Sequence, residues 1–431
     1  MLRLPCFLLL MCVGTLSAQN TDITEYLSQS NFHVFNSDIH TLKIGTDNIE
    51  WSQPVITLGS GDKILCSFDD FNETAKDYRY TFVHCTPDWK ITTGINQNEY
   101  MTGYYAEEMI NDYKQSFNTL RNFIHYSFTF PSENINIGLS GNYALVVYED
   151  NVDNPIFVAR FYVVENVTTV PVYVDFTRSI ENINKKQRVA FSINAPEFDI
   201  KEPYRSLTVV VQQNDKPFLQ QGNVQPKYIS GNTFNYDFDD KFEFNGNYEF
   251  RHVDLRSVKF LTPTNSDIIV DHSEYYVFTH DVDPWNGKTY SSRNDIDGQF
   301  FVYSDNNDVD TESEYAFVNL HVKSPFPMSG EEVYVCGDFN GWQLNDDNKM
   351  VYNHESGEYE KTLYLKQGYY DYTYIRLNRE TMVLDETFVD GTFNETQNRY
   401  SVFVYYNPSD ERYCRLIGYG FINTRNHFIK H

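Results

Sequence analysis

Apolar and polar residues alternate with a period of two along most of the chain, in short segments separated by Asn, Gly, Asp and Pro. The segments include KILCSFDDF (63–71), YRYTFVHC (78–85), IHYSFTF (124–130), YALVVYE (143–149), IFVARFYVVE (156–165), SLTVVVQQ (206–213), YAFVNLHV (315–322), EYEKTLYL (358–365) and YDYTYI (370–375). Since successive side chains of a strand point to opposite faces, this pattern predicts half-buried antiparallel strands. We therefore expect an all-β chain of three tandem immunoglobulin-like β-sandwiches. One segment, AEEMINDYKQSF (106–117), has the 3–4 spacing of a helix instead.

Turn-rich and acidic stretches suggest where one sandwich ends and the next begins. The clearest are ENVTTVP (165–171), HDVDPWNGKTYSSRNDIDG (280–298) and SDNNDVDTESE (304–314). The predicted organisation is a signal peptide (1–18), a first sandwich (28–165), a second (166–283), a polar linker that is acidic at its end (284–314), a third sandwich (315–408) and a tail (409–431).

The chain opens with MLRLPCFLLLMCVGTLSAQN, which has the pattern of a secretory signal peptide cleaved near Ala18. The apolar run is too short to span a bilayer, and Cys12 follows Met11 rather than the small residue that a lipoprotein anchor requires. We therefore expect an exported protein that does not itself insert into a membrane.

The charge balance excludes polyanionic partners. The chain has 34 basic and 60 acidic residues, a net charge of −26, and loss of Arg3 with the signal leaves 33 − 60 = −27. Such a charge repels nucleic acid and anionic membrane surfaces.

The sequence contains none of the motifs of nucleophilic or zinc catalysis that we considered. It has no G-x-S-x-G and no H-E-x-x-H, and the acidic run at 305–314 lacks the glycine and the spacing of a calcium loop. We expect neither catalytic nor metal-binding residues, no cofactor and no enzyme activity.

Two cysteines leave alternatives open. Cys66 and Cys85 flank the loop DDFNETAKDYR almost symmetrically, so a hairpin would bring them together. In an oxidising compartment they would then form a cross-strand disulfide; otherwise they are two buried free thiols. In the same region HCTPDW (84–89) ends in an indole, and Trp89 either anchors a partner or packs over its own sandwich.

Residues 331–375 resemble the early-set sandwiches of starch- and glycogen-binding modules, through VYVCGDFNGWQ, GEYEKTLYL and QGYYDYTY. In glycan-binding members the turn tryptophan, here Trp342, works with a second tryptophan and a lysine. In this chain the lysine position is Thr373, and LNRETMVLD (377–385) contains no tryptophan. A single aromatic face supplies only about 1–3 kcal/mol of stacking, by analogy with bases. The motif therefore favours a structural role over a glycan platform at Trp342.

A wider resemblance covers nearly the whole mature chain. YRYTFVHCTPDW, EYMTGYY, INDYKQSFNTLRNFIHYSFTFP, LSGNYALVVYED and ARFYVVE follow one another in the first predicted sandwich. VVVQQND and NGNYEFRHVDLRS follow in the second. Together they resemble the type IX secretion plug family of Bacteroidota, with Tyr248 departing from the family's Asn-Glu-Phe-Arg core.

This resemblance implies a periplasmic protein that performs no catalysis. It would dock on the giant outer-membrane β-barrel translocon of type IX secretion and occlude its periplasmic opening. Our candidate contacts lie in the loop TPDWKITTGINQNEY (86–100) and are Asp88, Trp89, Glu99 and Tyr100. The alternative is an exported polysaccharide-binding protein that uses the GDFNGW sandwich.

Overall fold

A computed structural model describes residues 23–47, 52–218, 220–222, 224–238, 240–280, 284–306 and 308–426. The predicted signal peptide lies outside these ranges. None of the helices within them is long and apolar enough to cross a membrane. The helices are short: α1 (Ile23–Gln29), α2 (Gln97–Tyr100), α3 (Pro203–Ser206), α4 (Val309–Glu312) and the 3-10 turns Asp338–Asn340 and Thr424–Asn426. The prediction of an all-β chain of sandwiches is confirmed.

The first ten strands form a sandwich of two sheets. In chain order they are β1 (Phe32–Val34), β2 (Ile39–Thr46), β3 (Val55–Thr57), β4 (Ile64–Asp70), β5 (Arg79–Cys85), β6 (Glu108–Met109), β7 (Tyr113–Gln115), β8 (Ile124–Phe130), β9 (Gly141–Tyr148) and β10 (Pro155–Val164). One sheet has the order β1-β10-β9-β5-β6, with β3 parallel to β10, and the other has the order β2-β4-β8-β7.

The strands β9 and β10 are buried on both faces along their whole length. Tyr143, Leu145 and Val147 point into the core of the first sandwich. Ala144 and Val146, between them, pack against the second sandwich. Successive side chains still point to opposite faces of the sheet, but apolar residues cover both faces. Both strands therefore appear in the sequence as nearly continuous apolar runs.

The second sandwich begins with β11 (Val172–Phe176), β12 (Lys186–Asn194), β13 (Leu207–Gln213), β14 (Gln220–Gly222), β15 (Tyr228–Ser230), β16 (Thr233–Asn235) and β17 (Glu243–Asn245). It is completed only by the last two strands of the chain, β28 (Arg399–Tyr406) and β29 (Arg415–Asn423). One sheet has the order β11-β12-β16-β15, with β17 on β12, and the other has the order β14-β13-β28-β29.

The third sandwich is inserted between β17 and β28. Its strands are β18 (Arg251–Asp254), β19 (Asn265–Asp271), β20 (Glu274–Thr279), β21 (Phe300–Val302), β22 (Tyr315–Lys323), β23 (Glu331–Cys336), β24 (Val351–Asn353), β25 (Glu358–Lys366), β26 (Gly368–Asn378) and β27 (Leu384–Asp385). One sheet has the order β19-β20-β22-β25-β24, with β20 and β22 parallel. In the other sheet, β26 pairs with β18, β21, β23 and β27.

The sheet pairings correct the predicted boundaries. β18 to β20 lie in the predicted second sandwich (166–283) but belong to the third, and β21 lies in the predicted linker (284–314) but pairs with β26. In the opposite direction, β28 leaves the predicted third sandwich (315–408), and the predicted tail (409–431) supplies β29. Local alternation identifies strands, whereas partners so distant in sequence are chosen by long-range packing.

The predicted helix at 106–117 is also wrong. Its residues form β6 and β7, which pair with β5 and β8 at the edges of the two sheets. A helix this short gains little from intrinsic propensity, so pairing with an existing sheet prevails.

Candidate docking surface

The two aromatic candidates of the loop proposed as the contact with a partner are buried within the chain. Trp89 is only 3% exposed and packs against the Tyr162 ring, with the Arg160 guanidinium 4.3 Å above the indole. Tyr100 is buried as well. Neither aromatic side chain is exposed for a partner in this structure, so the alternative of a tryptophan packed over its own sandwich describes Trp89.

The polar candidates of that loop are accessible but already paired. Asp88 lies 2.7 Å from Lys90, and Glu99 accepts a hydrogen bond from Arg412 in the segment between β28 and β29. A Cβ on Gly94 would lie 2.5 Å from the Arg412 carbonyl oxygen. The loop therefore braces the first sandwich against the second.

Trp342 is interior too, at 1% exposure. Its ring meets Phe250 at 5.9 Å, and Lys216 Nζ lies 5.0 Å from the ring centroid. The turn beside it clamps the third sandwich to the first: the Gly341 carbonyl accepts a hydrogen bond of 3.0 Å from the Asn31 amide. Gly341 has φ +62°, and a Cβ there would lie 2.9 Å from the Phe32 carbonyl oxygen. The G-D-F-N-G-W turn is a joint, and its indole presents no face to a glycan.

Of the two alternatives for Cys66 and Cys85, the structure has two buried free thiols and no disulfide between them. Their strands are not hairpin partners: β4 pairs with β2 and β8, whereas β5 pairs with β9 and β6 in the opposite sheet. Burial raises the pKa of Cys66 and raises that of Cys85 to about 12. Both behave as small core hydrophobes.

A buried ion pair joins the first and third sandwiches. Lys366 Nζ of β25 lies 2.7 Å from Asp69 Oδ2 of β4, and both side chains are 1% exposed. The Tyr315 hydroxyl donates to the same carboxylate at 2.6 Å, and His125 Nδ1 lies 2.6 Å from its other oxygen. Burial alone would raise the pKa of Asp69, but the Lys366 charge and the His125 contact hold it below its ordinary value.

A second set of polar contacts joins the first and second sandwiches. The Arg415 guanidinium donates to both oxygens of Glu165, at 2.9 and 2.5 Å. The Tyr405 hydroxyl donates to Asn142 Oδ1 at 2.7 Å. Since the first sandwich is tied to the other two by buried and half-buried directional contacts, relative motion of the three would break hydrogen bonds as well as apolar packing.

A cavity of about 300 Å³ lies where the three sandwiches meet. Asp215 and Asp338 line it together with Lys43 and Arg160. Burial raises the pKa of Asp215 to about 6, against the Arg399 charge; burial and the Asp215 charge raise that of Asp338 to about 7. Within the described ranges no group of His, Cys, Asp and Glu side chains is arranged to hold a metal ion.

Large apolar side chains are exposed beside the junction of the first and third sandwiches. Phe117 and Leu120 lie on the loop after β7, and Phe260 and Leu261 lie on the loop after β18. Phe117 is 70% exposed and Phe260 is 76% exposed. We call these four side chains the junction face. Apolar side chains exposed in a group are typical of interaction sites, whereas single ones are ordinary.

Glu314 and the neighbouring helix α4 hold the loop after β7 in place. The Leu120 amide donates to Glu314 Oε2 at 2.9 Å, and the Phe117 amide donates to the Thr311 carbonyl at 3.0 Å. Burial raises the pKa of Glu314, while the Leu120 amide and the charge of nearby Lys259 act in the opposite direction. The Leu120 amide of one loop and the Lys259 charge of the other thus act on the same buried carboxylate.

The sequence offered a weak signal for half of this surface. SVKFLTPT (257–264) places two adjacent large apolar residues in a segment with no alternation, which is unexpected for a solvated loop. Nothing in the sequence relates Asp69 to Lys366, because their association depends on how two sandwiches dock.

Comparison with known proteins identifies relatives of the chain. Residues 39–165 match the family model described as "Type 9 secretion system plug protein 1st domain". The crystal structure of a hypothetical protein from Parabacteroides merdae is 31% identical, with a TM-score of 0.88, over 92% of this chain and 99% of the other. No curated protein matches the chain.

A second solved structure is only weakly similar to this chain. The C-terminal domain of the Streptococcus pyogenes antigen I/II-family protein AspA is 9% identical over 90% of this chain and 99% of the other, with a TM-score of 0.16.

Proposed function

Since this chain belongs to the type IX secretion system plug protein family, we propose that it is a non-enzymatic periplasmic body that docks on the outer-membrane translocon barrel and closes its periplasmic opening. Membership of the family indicates a role related to type IX secretion. The observation that carries the proposal is the match of residues 39–165 to the family's first domain. The Parabacteroides merdae structure extends the shared fold to nearly the whole chain.

The contacts between the sandwiches suit a protein that blocks an opening. A body that blocks a wide opening must keep its shape against thermal motion, and domains move relative to one another unless extensive apolar packing joins them. In this chain Ala144 and Val146 of β9 share an apolar core with Phe403 and Leu416 of the second sandwich. Here the Lys366–Asp69 pair, the Arg415–Glu165 pair and the Gly341 turn fasten the sandwiches to one another at separate places. These contacts support a rigid body.

The junction face suits docking. A stable interface buries more than about 1,000 Å² in total and depends on a few large side chains near its centre. Phe117 and Phe260 present such side chains. Hydrogen bonds to Glu314 and α4 anchor the Phe117 loop, so little ordering of that loop is required on binding. The net charge of −26 would speed approach to a basic rim without supplying affinity by itself.

Affinity purification of the tagged full chain from outer-membrane extracts tests this proposal. We expect a very large β-barrel protein to be recovered with the wild type and lost with the double variant Phe117→Asp/Phe260→Asp. The matched control is Ile180→Asp on the second sandwich, since Ile180 is also highly exposed. Recovery of the wild-type chain without any membrane partner would contradict the proposal, and loss of the partner with Ile180→Asp would contradict the choice of face.

A further inference from the structure

The strand β19 is an outer strand of the third sandwich and leaves an edge open to solvent. It follows directly on the loop that carries Phe260 and Leu261, and it forms a hairpin with β20 through the two-residue turn His272–Ser273. Both turn residues have positive φ, 47° and 67°, as tight hairpins with native twist require. Ile269 and Val270 are 46% and 60% exposed.

The register shows which backbone groups face outward. Asp271 pairs with Glu274 across the turn, and Ile269 pairs with Tyr276. In a two-residue hairpin the pair that flanks the turn exchanges hydrogen bonds, and so does every second pair along the ladder. The N–H and C=O groups of Ile268 and Val270 therefore point away from β20. The Ile268 amide donates to the side chain of Asp267 at 2.8 Å, whereas outside the hairpin no described residue bonds the Val270 amide.

Two longer edge strands of the described chain are covered. The 3-10 turn Asp338–Asn340 and β3 lie against β2. Backbone bonds from Glu165 to Leu416 and from Thr168 to Ile417 cover β29. An uncovered edge with apolar side chains is a template for another strand, and proteins normally shorten, cover or block such edges.

The charges on β19 determine which kind of strand can pair with its edge. Asp267 and Asp271 lie on the same side of the strand, one on each side of Ile269. If two copies of this chain paired antiparallel about Ile269, Asp267 of each would face Asp271 of the other, and like charges directly opposite are destabilising. A strand with basic side chains at both places and an apolar side chain between them would instead gain two ion pairs and an apolar contact.

We propose that β19 accepts an added strand from the docking partner, an extended segment with two basic residues four positions apart and an apolar residue midway. The inference rests on the proposed function, because β19 continues the junction face. The added strand bonds to the backbone of Ile268 and Val270, while Asp267 and Asp271 set its register.

The test compares two variants in the full chain. Val270→Pro removes an outward amide that the hairpin does not use, and a proline is tolerated at such edge positions. Asp267→Lys/Asp271→Lys reverses the charge and keeps the Val270 amide, while it removes the side chain that accepts from the Ile268 amide. Asp150→Lys/Asp153→Lys, at exposed sites of the first sandwich, is the control. Unchanged circular dichroism and melting temperature establish that each variant is folded.

The probe is a fluorescent heptapeptide, acetyl-Thr-Lys-Thr-Ile-Thr-Lys-Thr-amide, with a second peptide in which Glu replaces both Lys. We expect the wild type and the control to bind the basic peptide, and both β19 variants to bind it at least about tenfold more weakly. The acidic peptide should not bind. Equal binding to Val270→Pro and wild type, or no binding of the basic peptide to the wild type, would overturn the inference. So would a wild-type dimer that Val270→Pro abolishes, because it would assign the edge to a second copy.

Capture from outer-membrane extracts separates this inference from the proposed function. If the barrel is recovered equally with wild type and with both β19 variants, strand addition is refuted and docking stands. If the variants lose the peptide but no barrel is recovered with the wild type, the strand-accepting edge stands and docking is refuted.

Discussion

Removal of the buried ammonium at the junction of the first and third sandwiches, by Lys366→Met, should destabilise the protein strongly. The substitution keeps the length of the side chain but leaves the buried Asp69 carboxylate with Tyr315 and His125 as its partners among the described residues. Breaking a buried ion pair by removing one partner costs about 3–5 kcal/mol, because the remaining charge cannot be solvated. We expect a loss of that size in the free energy of opening this junction.

The chain provides a matched control. Lys90 and Asp88 are also 2.7 Å apart, but their side chains are 74% and 60% exposed, against 1% for both partners of the buried pair. Lys90→Met should therefore leave stability almost unchanged, because water solvates the remaining carboxylate. The double variant Asp69→Asn/Lys366→Met should recover part of the loss, since it leaves no unpaired charge.

Hydrogen exchange measured by mass spectrometry on peptides from β4 and β25 is the appropriate assay. A chain with three sandwiches need not unfold in one step, and exchange reports the local opening free energy. The reasoning would be refuted if Lys366→Met accelerated exchange in these strands no more than Lys90→Met does.

Three further predictions follow from buried groups. Folding raises the pKa values of Asp215 and Asp338 to about 6 and about 7, so the folded state binds more protons than the unfolded state. The free energy of unfolding should therefore fall as pH rises from about 4 to 7, by up to about 1.4 kcal/mol per pH unit for each group. Urea titrations of Asp215→Asn/Asp338→Asn should show a flatter pH dependence; an unchanged slope would contradict the assignment. Trp342→Ala should cost about 3–5 kcal/mol in urea unfolding, and the wild type should pass through a glycogen column unretained; retention that the variant abolishes would restore the glycan hypothesis. Iodoacetamide should leave Cys66, Cys85 and Cys336 unmodified in the native protein and modify them in urea without reductant; protection of Cys66 and Cys85 in urea would reveal a disulfide.

Short apolar segments between turn residues were sufficient to predict nine of the longer strands and the fold class, but not β6 and β7, whose 3–4 spacing had indicated a helix. YAFVNLHV became β22, whereas YALVVYE and IFVARFYVVE became β9 and β10, which are nearly continuous apolar runs because both of their faces are buried. The order of the sandwiches along the chain was not predictable in this way. β13 pairs with β28 across an inserted sandwich, and a strand's own pattern carries no information about which distant strand it joins.

The candidate site shows the same limit. The sequence places Trp89 and Trp342 beside turns. Whether each indole is exposed depends on which side chains of the folded chain pack over it. Arg160 and Tyr162 cover Trp89, and Phe250 and Lys216 cover Trp342. Conversely, the junction face is exposed because no part of the described chain packs over it.

The permeability of the outer membrane to a bulky antibiotic tests the central claim most directly. Cells lacking this protein should become sensitive. Wild-type protein and the Ile180→Asp control should restore resistance, and Phe117→Asp/Phe260→Asp should not. Circular dichroism and cell fractionation check that the double variant is folded and exported. An intact barrier in cells that lack the protein would contradict the claim that it closes the translocon opening.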